Sequence, residues 1–68
     1  MSEVEYEICK VIKKIKEDFN EDLNITQLAR IMHYSAHTMM YHLKKLEKLG
    51  ILERIEHKRY RLKVTNLK

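Results

Sequence analysis

Proline is absent from this chain, and cysteine and glycine occur once each. A lone cysteine, Cys9, excludes an internal disulfide and any metal knuckle built on paired cysteines, which makes a reducing cytoplasm the expected setting. A lone glycine leaves no Gly-rich phosphate loop. No Ser-His-Asp spacing or pair of buried carboxylates can be argued either, and so small a domain has little room for a water-excluding pocket. The chain is therefore read as a non-enzyme without a cofactor. No apolar run approaches the length needed to cross a bilayer, and the first residues are acidic and amphipathic, so a soluble protein with no membrane partner is expected. There is no repeat, low-complexity segment or linker. With 68 residues, one domain over 1–68 is expected, close to the lower limit at which an apolar core sustains a fold unaided.

Charge is present and unevenly placed. The net value is +4. Residues 1–34 hold five Lys or Arg against seven Asp or Glu, a net of −2, and residues 35–68 hold nine against three, a net of +6. Such polarity presents a positive surface to a polyanion and a neutral or acidic back to solvent or a partner. Ordinary solvated Lys and Glu residues account for the composition equally well.

Apolar periodicity supplies the elements. Ile8, Val11, Ile12, Ile15 and Phe19 recur at steps of three and four, predicting a supporting helix over Val4–Phe19 with Lys10, Lys13, Lys14 and Glu17 toward water. Asn20-Glu21-Asp22 forms a turn, and Leu23-Asn24-Ile25 fits a very short strand. Thr26 is the expected N-cap of a short helix whose apolar side is Leu28, Ala29, Ile31 and Met32. Ser35 caps a longer helix to Leu49, with Met39, Leu43, Leu46 and Leu49 or Gly50 on its buried stripe and Gly50 as its stop. Residues 51–56 and 59–64 read as paired strands. Tyr60, Leu62 and Val64 share one face and Arg59, Arg61 and Lys63 the other. Ile51, Leu52 and Ile55 pack inward from the less regular strand, and His57-Lys58 is a short turn of open type.

The run from Thr26 to Leu52, TQLARIMHYSAHTMMYHLKKLEKLGIL, resembles the core of bacterial and archaeal winged helix-turn-helix regulators. The shared marks are Thr26, Leu28-Ala29, Ser35, Leu43 with Leu46, and Gly50-Ile51. His33 stands in the turn where that family often has Gly, and His is among the residues that tolerate a positive φ. The resemblance implies an α+β fold with three helices and a small antiparallel sheet of two or three strands, double-stranded DNA as partner, and transcription regulation as role. Winged helices also serve as protein-interaction or assembly modules in replication or transcription machinery, which is the alternative reading. An RNA-binding winged helix shares the charge argument.

With Met39, Leu43 and Leu46 turned inward, the opposite flank of the Ser35–Leu49 helix faces the major groove. Ala36, His37, Met40 and Tyr41 lie in its first two turns, where base edges are reached. Lys44, Lys45 and Lys48 lie further along and suit phosphates, which orient the protein without reading sequence. Free amides near Thr26 and Ser35 offer anion sites at two helix starts, supplemented by Gln27 and Thr38. Lys58, Arg59 and Arg61 are assigned to the wing, to contact the backbone or the adjacent minor groove. The contrary readings are that Tyr41 packs over a neighbouring side chain and that the wing's cations only protect an edge strand.

Four histidines raise the question of a metal. Ser35 breaks the helical register between His33 and His37, His42 points to a different face from His37, and Cys9 reads as a small core residue. No metal site within one chain is expected, and one shared between two chains stays open. A homodimer, through the first helix near Tyr6 and Cys9 or through the C-terminal segment, stays open beside a monomer, as does a protein partner.

Overall fold

Three helices, each ended by a left-handed residue, set the architecture. The computed structural model describes residues 1–63, the side chain of His57 excepted. Helix α1 spans Glu3–Phe19, strand β1 Leu23–Asn24, helix α2 Ile25–Met32, helix α3 Ala36–Lys48, strand β2 Leu52–Ile55 and strand β3 Arg59–Leu62. Val64, expected at the end of β3, lies outside the described residues with Thr65–Lys68.

With one glycine available, the helix stops fall on three different residue types. Asn20, His33 and Gly50 have φ of 55°, 61° and 75°. After α2, the Tyr34 amide donates to the Ala29 carbonyl and the His33 amide to that of Arg30. After α3, the Ile51 amide donates to Leu46 and the Gly50 amide to Glu47. These are the paired bonds that satisfy the last free carbonyls of a helix when the chain turns left-handed. The reversal of direction after α3 brings Ile51 back against the core. His33 therefore occupies the glycine-type position of the inter-helix turn and adopts its conformation.

Helix starts are capped by side chains. Ser2 and Glu5 form a reciprocal capping box on α1, and Ser35 Oγ accepts from the Thr38 amide at 3.1 Å on α3. The expected cap of α2 is corrected. Asn24, not Thr26, holds the position: its Oδ1 accepts from the Gln27 amide at 2.9 Å, and Gln27 Oε1 accepts from the Asn24 amide at 3.0 Å. Asn with Gln three residues on closes both bonds, and pairing of Asn24 with Arg59 of β3 already holds it extended. The helix begins two residues earlier than the hydroxyl signal suggests.

Strand β3 lies between β1 and β2, all antiparallel, with Leu23 opposite Tyr60 and Leu52 opposite Leu62. The short third strand is present as Leu23–Asn24, while Ile25, expected in it, opens α2 because Asn24 already caps the helix. Tyr60, flanked on both sides, is 1 % exposed. A single 3-10 turn, Glu56–Lys58, joins β2 to β3, and Lys58 takes φ 58° in place of the missing Gly or Asn.

The core gathers Ile8, Cys9 and Ile12 from α1, Leu28 and Ala29 from α2, Met39, Leu43 and Leu46 from α3, with Leu23, Leu52 and Tyr60 from the sheet. Each fully buried aliphatic side chain contributes about 1.5–3 kcal/mol by removal from water. Two expected stripe members do not join. Phe19, the last residue of α1, is 66 % exposed, and Leu49, which follows α3, is 59 % exposed. Ile31 is also largely outside.

Candidate nucleic-acid interface

Helix α3 buries Met39, Leu43 and Leu46 completely, so the opposite flank must face solvent. Ala36, His37, Met40, Tyr41, Lys44, Lys45 and Lys48 are all exposed, and they form one continuous ridge. Ser35 and Thr38 sit at its start, where Ser35 Oγ also donates to Thr38 Oγ1 at 3.0 Å. Both hydroxyls are thus engaged in closing the helix end, and Thr38 is only half exposed. The turn His33-Tyr34-Ser35 sets α3 across α2, giving the helix-turn-helix its shape.

Beneath the ridge lies a group that periodicity alone could have flagged. Glu5 is 1 % exposed yet occupies the stripe position three residues before Ile8. Its Oε1 accepts from the Ser2 amide at 3.1 Å, and its Oε2 lies 2.9 Å from His42 Nδ1 and 3.7 Å from Lys45 Nζ. Burial pushes the Glu5 carboxyl up. The bond from His42, the Ser2 amide and the charges of Lys45 and His42 outweigh burial and hold it below the ordinary carboxylate range. The network ties the first turn of α1 to the middle of α3, and it turns His42 inward, away from His37. Burial, reinforced by the Glu5 charge, pushes the neighbouring Cys9 thiol up to about 11.

Lys45 accordingly has two internal attachments. Besides Glu5, its ammonium lies 5.3 Å from the centre of the Tyr41 ring, which meets the His42 ring edge-on at 5.2 Å. Tyr41 packs on its own helix and still remains 58 % exposed. Lys44 and Lys48 form no ion pair among the described residues.

The basic hairpin divides. Lys58, at the turn, is exposed. Arg59 Nη1 donates to the Asp22 carbonyl at 2.6 Å, and Arg61 Nη2 lies 3.6 Å from Asp22 Oδ2. Both arginines are therefore drawn to the turn between α1 and β1, where Lys16 also pairs with Asp22 at 3.4 Å. Gln27 is half-buried and uses its carbonyl in the α2 capping box, which leaves only its amide nitrogen free. No signal in the sequence marks Asp22 as the organiser of this corner, because Arg59 and Arg61 reach it from the far end of the chain.

Among the described residues, no three His, Cys, Asp or Glu side chains converge as a metal-holding group. No described helix is long and apolar enough to cross a membrane.

A search against known families agrees with this geometry: the MarR family model matches residues 17–59. The chain belongs to the MarR family. That family consists of winged helix-turn-helix transcription regulators, and three helices with a small three-stranded antiparallel sheet are the corresponding fold. No curated protein and no solved structure gave a match. The MarR match covers α2, the turn, α3 and the sheet up to the start of its central strand, and so includes the helix that carries the exposed ridge.

Proposed function

We propose that this MarR-family chain, acting as one domain over residues 1–68, binds double-stranded DNA with α3 in the major groove, and so regulates transcription. The observation that carries the reading is the uninterrupted exposed ridge from Ala36 to Lys48, cationic along its second half and backed by a fully buried stripe. The groove admits a helix of this width, and the first two turns, with Ala36, His37, Met40 and Tyr41, meet base edges. Lys44 and Lys48 meet phosphates, joined by the α3 N-terminus at Ser35 and Thr38, whose dipole favours an anion. Lys45 contributes while tethered by Glu5, so its reach is short. At the wing, Lys58 is the freest cation, and Arg59 and Arg61 act mainly by fixing the sheet against Asp22. Gln27 adds at most its amide nitrogen near the start of α2.

Fluorescence anisotropy of a labelled duplex, titrated across a salt series, tests this. With about four phosphates neutralised, log K falls with log[salt] at a slope of about −4. Lys44→Glu and Lys58→Glu each weaken binding and flatten that slope by about 1. Duplex affinity unchanged in both variants, or no association with duplex at low salt, refutes the reading.

A further inference from the structure

The ridge of α3 has a specific chemical deficit. From Ala36 to Lys48 it contains no Arg, Asn or Gln, and the remaining side chains that can pair with a purine edge, Lys44, Lys45 and Lys48, are confined to its second half. Its one carboxylate, Glu47, is half-buried and lies in the last turn, about 16 Å along the helix from Ala36 at 1.5 Å per residue, too far along to accept from a cytosine that the first turns meet. His37 and Tyr41 offer single hydrogen bonds. Tyr41 is further restrained by the Lys45 ammonium and the His42 ring. Lys44 emerges about 12 Å along the helix from Ala36, at 1.5 Å per residue, and beyond the turns that enter deepest.

What the first two turns do offer is apolar. Met40 is 40 % exposed, and Ala36, one turn earlier and also exposed, adjoins it at the i, i+4 spacing. Neither belongs to the core. On the major-groove edges of unmodified DNA, the thymine C5-methyl is the group that an apolar surface can recognise.

Resting on the DNA-binding reading above, we propose that Met40, with Ala36 beside it, is the specificity-determining pair of this domain and that it reads thymine methyl groups. The flexible thioether fills the space over one methyl, and Ala36 is short enough to admit a second. His37 and Tyr41 then add single hydrogen bonds that set register.

The test begins with a duplex that the protein selects from a random pool. Its affinity is compared with that of the same duplex carrying deoxyuridine for thymidine, a change that deletes only the methyl. A third version restores methyls as 5-methylcytosine at cytosines in the selected site. Transfer of one such group from water is worth about 0.8 kcal/mol, so each contacted methyl lost lowers affinity about four-fold. The 5-methylcytosine version is expected to bind more tightly than the unmodified site at any step where the new methyl falls under Met40 or Ala36. In Met40→Ala, whose substituted side chain lies outside the core, the thymidine-to-deoxyuridine ratio falls toward one and the salt slope is unchanged.

Equal affinity of the wild-type protein for thymidine and deoxyuridine duplexes, with salt-dependent binding intact, overturns the proposal and leaves DNA binding standing. So does a Met40→Ala protein of unchanged melting temperature that keeps the full ratio, or a selection that returns no enriched sequence. Loss of all duplex binding at low salt overturns the DNA reading itself.

Discussion

Replacing the buried Glu5 by Gln removes a charge without removing the shape. In the native protein three donors converge on this carboxylate: the Ser2 amide at 3.1 Å, His42 Nδ1 at 2.9 Å and Lys45 Nζ at 3.7 Å. Hydrogen bonds to a charged partner contribute about 1.5–3 kcal/mol and neutral ones about 0.5–1.5, so neutralising the acceptor weakens each of the two short bonds by about 1 kcal/mol. Lys45 is half exposed and adds little. Relief from burying a charge offsets part of the loss. The net cost of Glu5→Gln is about 1 kcal/mol, which lowers the melting temperature by about 4–8 °C in a domain of this size.

The dependence on pH separates this cause from mere packing. The folded Glu5 carboxyl lies below its ordinary value, so the unfolded chain binds more protons there as pH falls. Its contribution is complete above the ordinary carboxylate value of about 4.3 and disappears as pH drops through the lower, folded value. Circular dichroism melts of wild type and Glu5→Gln at pH 7 and pH 3 should show a gap of several degrees at neutrality that narrows in acid. Equal melting temperatures at pH 7, or a gap of the same size at pH 3, would refute the account.

Leu43→Ala, at a position with no exposure, empties the centre of the α3 contact and should cost about 2–5 kcal/mol; urea denaturation measures it, and a loss below 1 kcal/mol would contradict the core assignment. His33→Gly removes the left-handed penalty of about 1–2 kcal/mol at φ 61° and adds about 0.5–1 kcal/mol of unfolded-chain entropy. A slightly higher melting temperature is expected, and a drop of more than a few degrees would mean that the His33 side chain is needed. Cys9, buried and with its thiol pushed up to about 11, should resist a thiol reagent at pH 8 until denaturant is added; immediate labelling of the folded protein would contradict its placement.

Much of this protein is legible along the chain because its signals are local. A helical step of three and four residues puts Met39, Leu43 and Leu46 on one side, and that fact alone dictates which residues of α3 face outward. Gly50 stopping a helix and His33 taking a left-handed turn likewise follow from the conformational range of single residues. Alternation in the hairpin foretold Tyr60 as the inward residue, and the triplet at Leu23 foretold the third strand.

Other features depend on residues that meet only after folding. The α2 cap moved to Asn24 because strand pairing with Arg59 and the Gln27 side chain act together, which a scan for hydroxyl caps does not weigh. Whether a cation is free is a question about its neighbours in space: Arg59 and Arg61 alternate outward in the sequence just as a wing contact should, yet Asp22, far away in the chain, claims both. Glu5 is the reverse case, a charge on an apolar stripe that is tolerated because His42 and Lys45 arrive from another helix. Periodicity thus determined the elements, their faces and the identity of the ridge. Tertiary packing decided which of its charges remain available, since burial and ion pairing act through distance in space and are blind to order along the chain.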